Sequence, residues 1–211
     1  QRANSLKRIE LSYDEHFNAI RDANDDDFIM LSDNDEIPNL DSEDFKKNKN
    51  DIVIFNQLFF YFKFNLLYDR MLWPGTKGCR KKNLKSFSWL RNIKFKKYPI
   101  WRIDTYFSNT KYSNLNIIND GGWHFTNLKS PEDMFEKFMN FGHHDEFKLS
   151  GITVDKIRDK ISKREMFYDH FADKSSTNKW DSDYKLKKID TNLLPRFLVS
   201  NRDKYLEWFD L

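Results

Sequence analysis

Asp25–Leu40, DDDFIMLSDNDEIPNL, is the stretch on which the reading of this chain turns. Its middle, Phe28 to Leu31, is a short apolar run bounded by carboxylates and turn formers, and it reads as a buried strand. Ser32, Asp33, Asn34, Asp35 and Glu36 follow, and Ile37 with Pro38 stops the ladder. A strand thus delivers acids to a loop. In an open α/β sheet, ligands sit outside the carboxyl ends of the strands, so this loop is the place for a polyanion held through a divalent ion. Asp33 and Asp35 alternate in phase, which turns both toward one cation if the chain stays extended. The plain alternative is a solvated acidic loop.

Upstream, Leu6, Ile9, Tyr13, Phe17 and Ile20 recur at spacings of three and four. They predict an amphipathic helix feeding the Phe28 strand, a helix-then-strand unit of the α/β kind. Downstream, Asp41 to Asn48 reads as a short helix. Asp51 to Leu67, rich in Ile, Val, Phe and Tyr, reads as one long bent strand or two, with a core helix left open by periodicity alone. Met71 to Gly78, with Trp73, Pro74 and Gly75, carries a loop signal. Pro99 to Tyr106 reads as a strand and Leu115 to Ile118 as a weak one. Gly121 and Gly122 turn the chain into Trp123, His124 and Phe125, two glycines that point to close backbone approach. Ser130 is placed to cap a helix whose apolar face is Met134, Phe135, Phe138 and Phe141. Thr153 to Ile161 and Asn201 to Phe209 are the last helices expected.

The chain has 211 residues, 39% of them hydrophobic and 17% aromatic, which is enough core for one domain, and no internal repeat or second domain is evident. A net charge of +3 gives little support to a dedicated nucleic-acid binder, so function has to come from local sites. The most basic stretch, Lys77 to Arg102, holds ten Lys or Arg and no acid, interleaved with aromatics. It suits an anionic ligand such as a diphosphate, with Arg91 and Arg102 able to make bidentate contacts, or a single nucleic-acid strand, or it is simply a solvated face. Cys79 is the only cysteine, so neither an intrachain disulfide nor a cysteine zinc site can form. With no membrane-length apolar run and no leader evident, a reducing, cytoplasmic compartment is the simplest expectation. Gln1 begins inside what reads as a helix, and an upstream segment is expected to be missing.

A second polar cluster, His143, His144, Asp145 and Glu146, follows the Ser130 helix. His beside carboxylate can ligate a metal or move a proton, or it can be a polar loop in which His is favoured by the preceding helix dipole.

Four blocks together resemble glycosyltransferase family 17, the β-1,4-mannosyl-glycoprotein N-acetylglucosaminyltransferases. They are the helix led by Gln1 and Arg2, the acidic DDDFIMLSDNDEIPNL, GGWHFT with FGHHDEF, and LPRFLVSNRDKYLEWF. The acidic block is the most specific of them. The resemblance implies a GT-A-like mixed α/β sheet flanked by helices, here lacking the N-terminal part of the nucleotide-binding half. It implies metal-dependent, inverting transfer of a sugar, GlcNAc by resemblance, from a UDP-sugar to a glycan hydroxyl. By the same resemblance Asp33 and Asp35 would hold Mn²⁺ or Mg²⁺, with His124 as third ligand and Arg91 on the donor. Glu146 would be the first candidate for the base, Asp145 the second, with His144 close by; an extra His leaves the register of His143 and His144 open. Trp123, Trp73 and Glu36 would meet the acceptor. A non-catalytic carbohydrate- or nucleic-acid-binding module on the same fold is the alternative, nucleic acid being the less expected partner.

Overall fold

The computed structural model describes residues 7, 11, 13, 15–140, 144–172 and 177–211. Its strands run in the order β1 (Phe28–Leu31), β2 (Glu36–Pro38), β3 (Ile52–Tyr61), β4 (Leu66–Leu67), β5 (Trp73–Arg80), β6 (Leu115–Ile118), β7 (Gly122–Thr126) and β8 (Lys187–Lys188). Its α-helices are α1 (Glu43–Lys46), α2 (Phe87–Asn92), α3 (Pro131–Asn140), α4 (His144–Leu149), α5 (Val154–Ser162) and α6 (Arg196–Ser200). This is a mixed α/β fold. The chain divides into two compact units, Gln1–Leu58 with Leu72–His124, and Phe59–Met71 with Phe125–Leu211. The divisions at Leu58 and His124 fall inside β3 and β7 rather than in a polar linker, which is why composition gives no sign of them.

In the first unit β5 pairs antiparallel with β1 on one side and with β3 on the other, and β6 joins β3 in parallel. Ile52, Ile54, Cys79, Leu90, Ile93 and Leu115 make one buried cluster, and Val53, Phe55 and Ile118 another. Successive β3 residues therefore feed opposite sides of the sheet, the period of two that a strand imposes. A core helix over Asp51 to Leu67 is thereby ruled out. β3 is the long strand, and its register against β5 shifts between Ile54 and Asn56, which supplies the bend. Burial pushes the Cys79 thiol up to about 11, so this cysteine is core rather than chemistry.

Three expectations change. Among the described residues β1 pairs with β5 alone, and only Ile29 is buried along it, so it is an edge strand rather than a buried one. Met71 to Gly78, expected as a loop, belongs largely to β5, because its glycines let neighbouring side chains close over the strand. Pro99 to Tyr106, expected as a strand, is a run of tight turns ending in a 3-10 turn at Ile103–Thr105. Pro99 starts it: the N–H of Arg102 bonds back to the Pro99 carbonyl at 3.1 Å.

In the second unit the C-terminal part of β3 pairs with β4, and β4 with β8, all antiparallel. Ser130 caps α3 through the Asp133 N–H at 3.1 Å, and Met134 and Phe138 are buried as the pattern predicts; Phe141 lies outside the described residues. Thr153 caps α5. Arg202–Trp208 is helical but 3-10, with a kink at Tyr205. Most of the helix expected before Ala23 lies outside the described residues. Within it, residues 15–19 are helical.

Candidate functional site

The acidic loop is a tight turn. The Glu36 N–H donates to the Asp33 carbonyl at 3.0 Å, and the Asp33 N–H donates to Glu36 Oε2 at 3.1 Å. Asp33, Asn34 and Asp35 are turn formers, and Glu36 reaches back to close the ring. The extended alternation of Asp33 and Asp35 is therefore absent. Asp33 takes a bidentate contact from Arg91, Nη1 to Oδ1 at 2.7 Å and Nη2 to Oδ2 at 3.0 Å. Asp35 faces a different group, with Oδ1 3.6 Å from His124 Nδ1.

β5 forms the other wall. Register places Leu31 opposite Lys77, so the turn that follows β1 lies beside the start of β5. A cavity of about 160 Å³ opens there, lined by Leu31, Asp33 and Glu36 on one side and by Trp73, Gly75, Lys77 and Arg91 on the other, with Pro74 between. Trp73, Gly75 and Lys77 share one face by strand alternation. Trp73 Nε1 donates to Glu36 Oε1 at 2.9 Å, and its ring stacks on His124, centroids 4.5 Å apart and planes 10° from parallel. Beneath them, Gln57 and Thr76 are fully buried, and Thr76 Oγ1 meets both Ser32 Oγ at 2.7 Å and Gln57 Nε2 at 3.3 Å. Gly75 leaves room for the Gln57 side chain. A Cβ on it would sit 2.1 Å from Gln57 Oε1 and 3.1 Å from the Glu36 carboxyl carbon.

Two half-buried charges give this cavity its character. Burial raises the Glu36 carboxyl above the usual carboxylate range, and the negative charges of Asp33 and Asp35 push the same way, against the hydrogen bonds from Trp73 and the Asp33 N–H. Burial, with the Arg91 guanidinium adding to it, brings the Lys77 ammonium down to about 8. Lys77 Nζ donates to the carbonyl of Ile93 at 2.7 Å and to that of Arg91, holding the end of α2 against β5.

The acidic block and the Gly-Trp-His block meet in register. β2 pairs antiparallel with β7, Glu36 opposite His124, Ile37 opposite Trp123 and Pro38 opposite Gly122. Gly122 has φ +107°, and a Cβ there would lie 2.2 Å from the Ile37 carbonyl oxygen, so only glycine lets the strands close. Of the expected acceptor residues, Trp73 and Glu36 come together at the cavity. Trp123 does not line it, because alternation along β7 turns it away from the His124 face.

The remaining expected residues have partners of their own. Glu146, Asp145 and His144 lie on α4 in the second unit, where Glu146 pairs with the buried Lys179 and His144 Nε2 is 3.1 Å from Asp145 Oδ1. His143 lies outside the described residues. Arg102 is spent on Asp104, Nε to Oδ1 and Nη2 to Oδ2 both at 2.7 Å. Lys77 and Gly75 line the cavity and Gln57 packs against Gly75, and none of the three was singled out as a site residue from sequence. The signal for them was the alternation Trp73, Gly75, Lys77, hidden once the segment is read as a loop.

Among the described residues no three His, Cys, Asp or Glu side chains converge as a metal site. Both oxygens of Asp33 are engaged by Arg91. Asp35 with His124 is the pair whose spacing suits a shared divalent ion completed by ligand oxygens or water, as weakly caged Mg²⁺-type sites are. The chain matches no family model, no curated protein and no solved structure.

Proposed function

We propose that the first unit binds a UDP-sugar, UDP-GlcNAc by sequence resemblance, at the cavity between the Ser32–Glu36 turn and β5, and that the protein is a metal-dependent, inverting glycosyltransferase acting on a glycan hydroxyl. The observation that carries this reading is the register of β2 against β7. The two sequence blocks with the most specific resemblance, more than eighty residues apart, lie side by side with Glu36 opposite His124.

The residues divide the work by charge and exposure. Arg91 and Asp33 are each more than 40% exposed in their side chains, so an entering diphosphate can replace the Asp33 carboxylate on the Arg91 fork without a buried charge being left alone. Released from Arg91, Asp33 is an acceptor for ligand hydroxyls. Lys77 adds positive charge at the cavity wall, and Trp73 presents a ring edge beside Glu36. Asp35 and His124 would hold the divalent ion, which when bound neutralises charge that grows on the departing diphosphate. Inversion needs one base to take the acceptor proton as the hydroxyl attacks the anomeric carbon. By sequence resemblance the candidates for that base are Glu146 and then Asp145, both of the second unit.

Calorimetry of UDP and UDP-GlcNAc with and without Mn²⁺, followed by a transfer assay, tests the reading. Arg91→Ala should weaken UDP binding about tenfold or more, the worth of a lost charge-assisted contact. Asp35→Ala should abolish the Mn²⁺ dependence. Unchanged UDP affinity in Arg91→Ala would remove the cavity from the proposal. The second reading, a donor-binding module without catalysis, is favoured by the Glu146–Lys179 ion pair, since a carboxylate held by an ammonium is a poor proton acceptor. It predicts UDP binding with no transfer by wild type.

A further inference from the structure

The same unit carries a surface unrelated to the cavity. Between Lys94 and Lys111 the chain folds into consecutive turns, Arg102 N–H to Pro99 O, Thr105 N–H to Arg102 O and Tyr106 N–H to Ile103 O, each at 3.1 Å. This local scaffold holds large apolar side chains out of the fold. Ile100, Trp101, Ile103, Tyr106 and Phe107 are each 71–86% exposed. Five such residues within eight positions exceed the scattered single hydrophobics of an ordinary surface.

Cations ring this tip. The stretch has five Lys or Arg against one acid, Asp104. Lys96, Arg102 and Lys111 all lie over the Tyr98 ring, 5.3–5.9 Å from its centroid, at the base of the apolar group. Asp104 is already matched by Arg102 and Lys111, which leaves Lys94, Lys96 and Lys97 exposed with no acid of the stretch opposite them.

From this juxtaposition we infer that the 94–111 segment docks the protein on an anionic phospholipid surface, inserting Trp101, Ile103 and Phe107 among the acyl chains while the lysines meet the headgroups. Three features favour lipid over other partners. Exposure above 70% means that the side chains protrude, and a protruding tip suits a fluid layer better than a shape-matched protein pocket. Ile100 and Ile103 have no stacking face to offer a nucleobase, so a nucleic-acid strand would leave them in water. Aromatic side chains at headgroup level with Lys or Arg reaching phosphates above an apolar layer is the pattern of interfacial anchoring. None of the described helices is long and apolar enough to cross a membrane, and this mode of attachment needs none.

Flotation of the full chain with vesicles of phosphatidylcholine, alone or with phosphatidylserine added, tests the inference without reference to sugar transfer. Binding is expected on the phosphatidylserine vesicles, weak on phosphatidylcholine alone, and reduced by salt. Trp101→Ser with Phe107→Ser should lower the partition on the order of tenfold or more. Lys96→Glu with Lys97→Glu should lower it comparably and remove the preference for the anionic lipid. Quenching of tryptophan fluorescence by lipids brominated on the acyl chain should occur in wild type and be largely lost in Trp101→Phe, a readout that survives if the double variant folds poorly. No flotation with either vesicle, or equal partition of the apolar double variant and wild type, overturns the inference. So does self-association or oligonucleotide binding that these substitutions abolish while lipid binding stays absent.

Discussion

The cavity beside the Ser32–Glu36 turn and the 94–111 segment are built from the same kinds of residue, tryptophan, arginine, lysine and acid, yet they use them in opposite ways. At the cavity every named polar group is tied to another: Asp33 to Arg91, Glu36 to Trp73, Lys77 to the end of α2, Thr76 to Ser32 and Gln57. In the 94–111 segment the backbone is tied and the apolar side chains are left in water. Composition does not separate an inward-facing site from an outward-facing surface. What separates them is whether a neighbouring strand arrives to receive the side chains. β5 and β7 do so for the turn, and no described strand does so for Trp101.

The largest loss is expected at Gly122. Gly122→Ala places a Cβ against the Ile37 carbonyl in a backbone region that side chains avoid, and it should cost roughly 3 kcal/mol or more. Urea unfolding measures it. If stability is unchanged, the closeness of β2 and β7 is not what organises the site. A step lower, Gly75→Ala sets a methyl against the buried Gln57 amide and should cost roughly 1–3 kcal/mol. Adding Gln57→Ala should recover part of that loss, with a coupling of roughly 0.5–3 kcal/mol in the double-mutant cycle. Additive losses would mean that the two residues do not meet.

These glycines also mark how far the sequence could be read. Strand β1, the acidic loop and the Gly-Gly turn into β7 were legible, because apolar runs and turn formers act locally. The long strand was legible from its β-branched and aromatic content. Trp73-Pro-Gly was misread because Gly and Pro signal a turn by their own preferences, whereas here glycine is selected by Gln57, a residue on another strand. The phase of Asp33 and Asp35 failed for a related reason: alternation predicts direction only while the chain stays extended, and Glu36 folds it back. Lys77 and Arg91 could not be placed together from sequence, since their meeting depends on α2 ending above β5.

Lys77 makes the stability of the cavity wall depend on pH. Its folded value of about 8 lies below the ordinary 10.5, so the unfolded chain holds more protons than the folded one between those values. Stability from this group therefore rises as pH climbs from about 8 towards 10.5, and the penalty is fully present below 8. Lys77→Met removes that penalty and also two hydrogen bonds, so at neutral pH its net effect is small, on the order of 1 kcal/mol. The diagnostic is the difference between wild type and variant, which should move in favour of wild type as pH is raised from 7 to about 10. Parallel pH profiles would show that Lys77 carries its charge as an exposed lysine does.

The smallest expected effect lies on the outward surface, and it is the one that distinguishes the two regions by energetics alone. Phe107 is 86% exposed, so Phe107→Ser removes almost no buried contact and should change unfolding stability by no more than about 0.5 kcal/mol. Trp73→Phe, at the cavity, removes only the indole donor and keeps a ring, yet it takes a hydrogen bond from the half-buried Glu36 carboxylate and should cost about 1–3 kcal/mol. Deleting a whole aromatic ring at 107 should therefore matter less than deleting one N–H at 73. The reverse order would mean that Phe107 is covered in solution, and that the 94–111 segment closes onto the protein itself instead of waiting for a surface outside it.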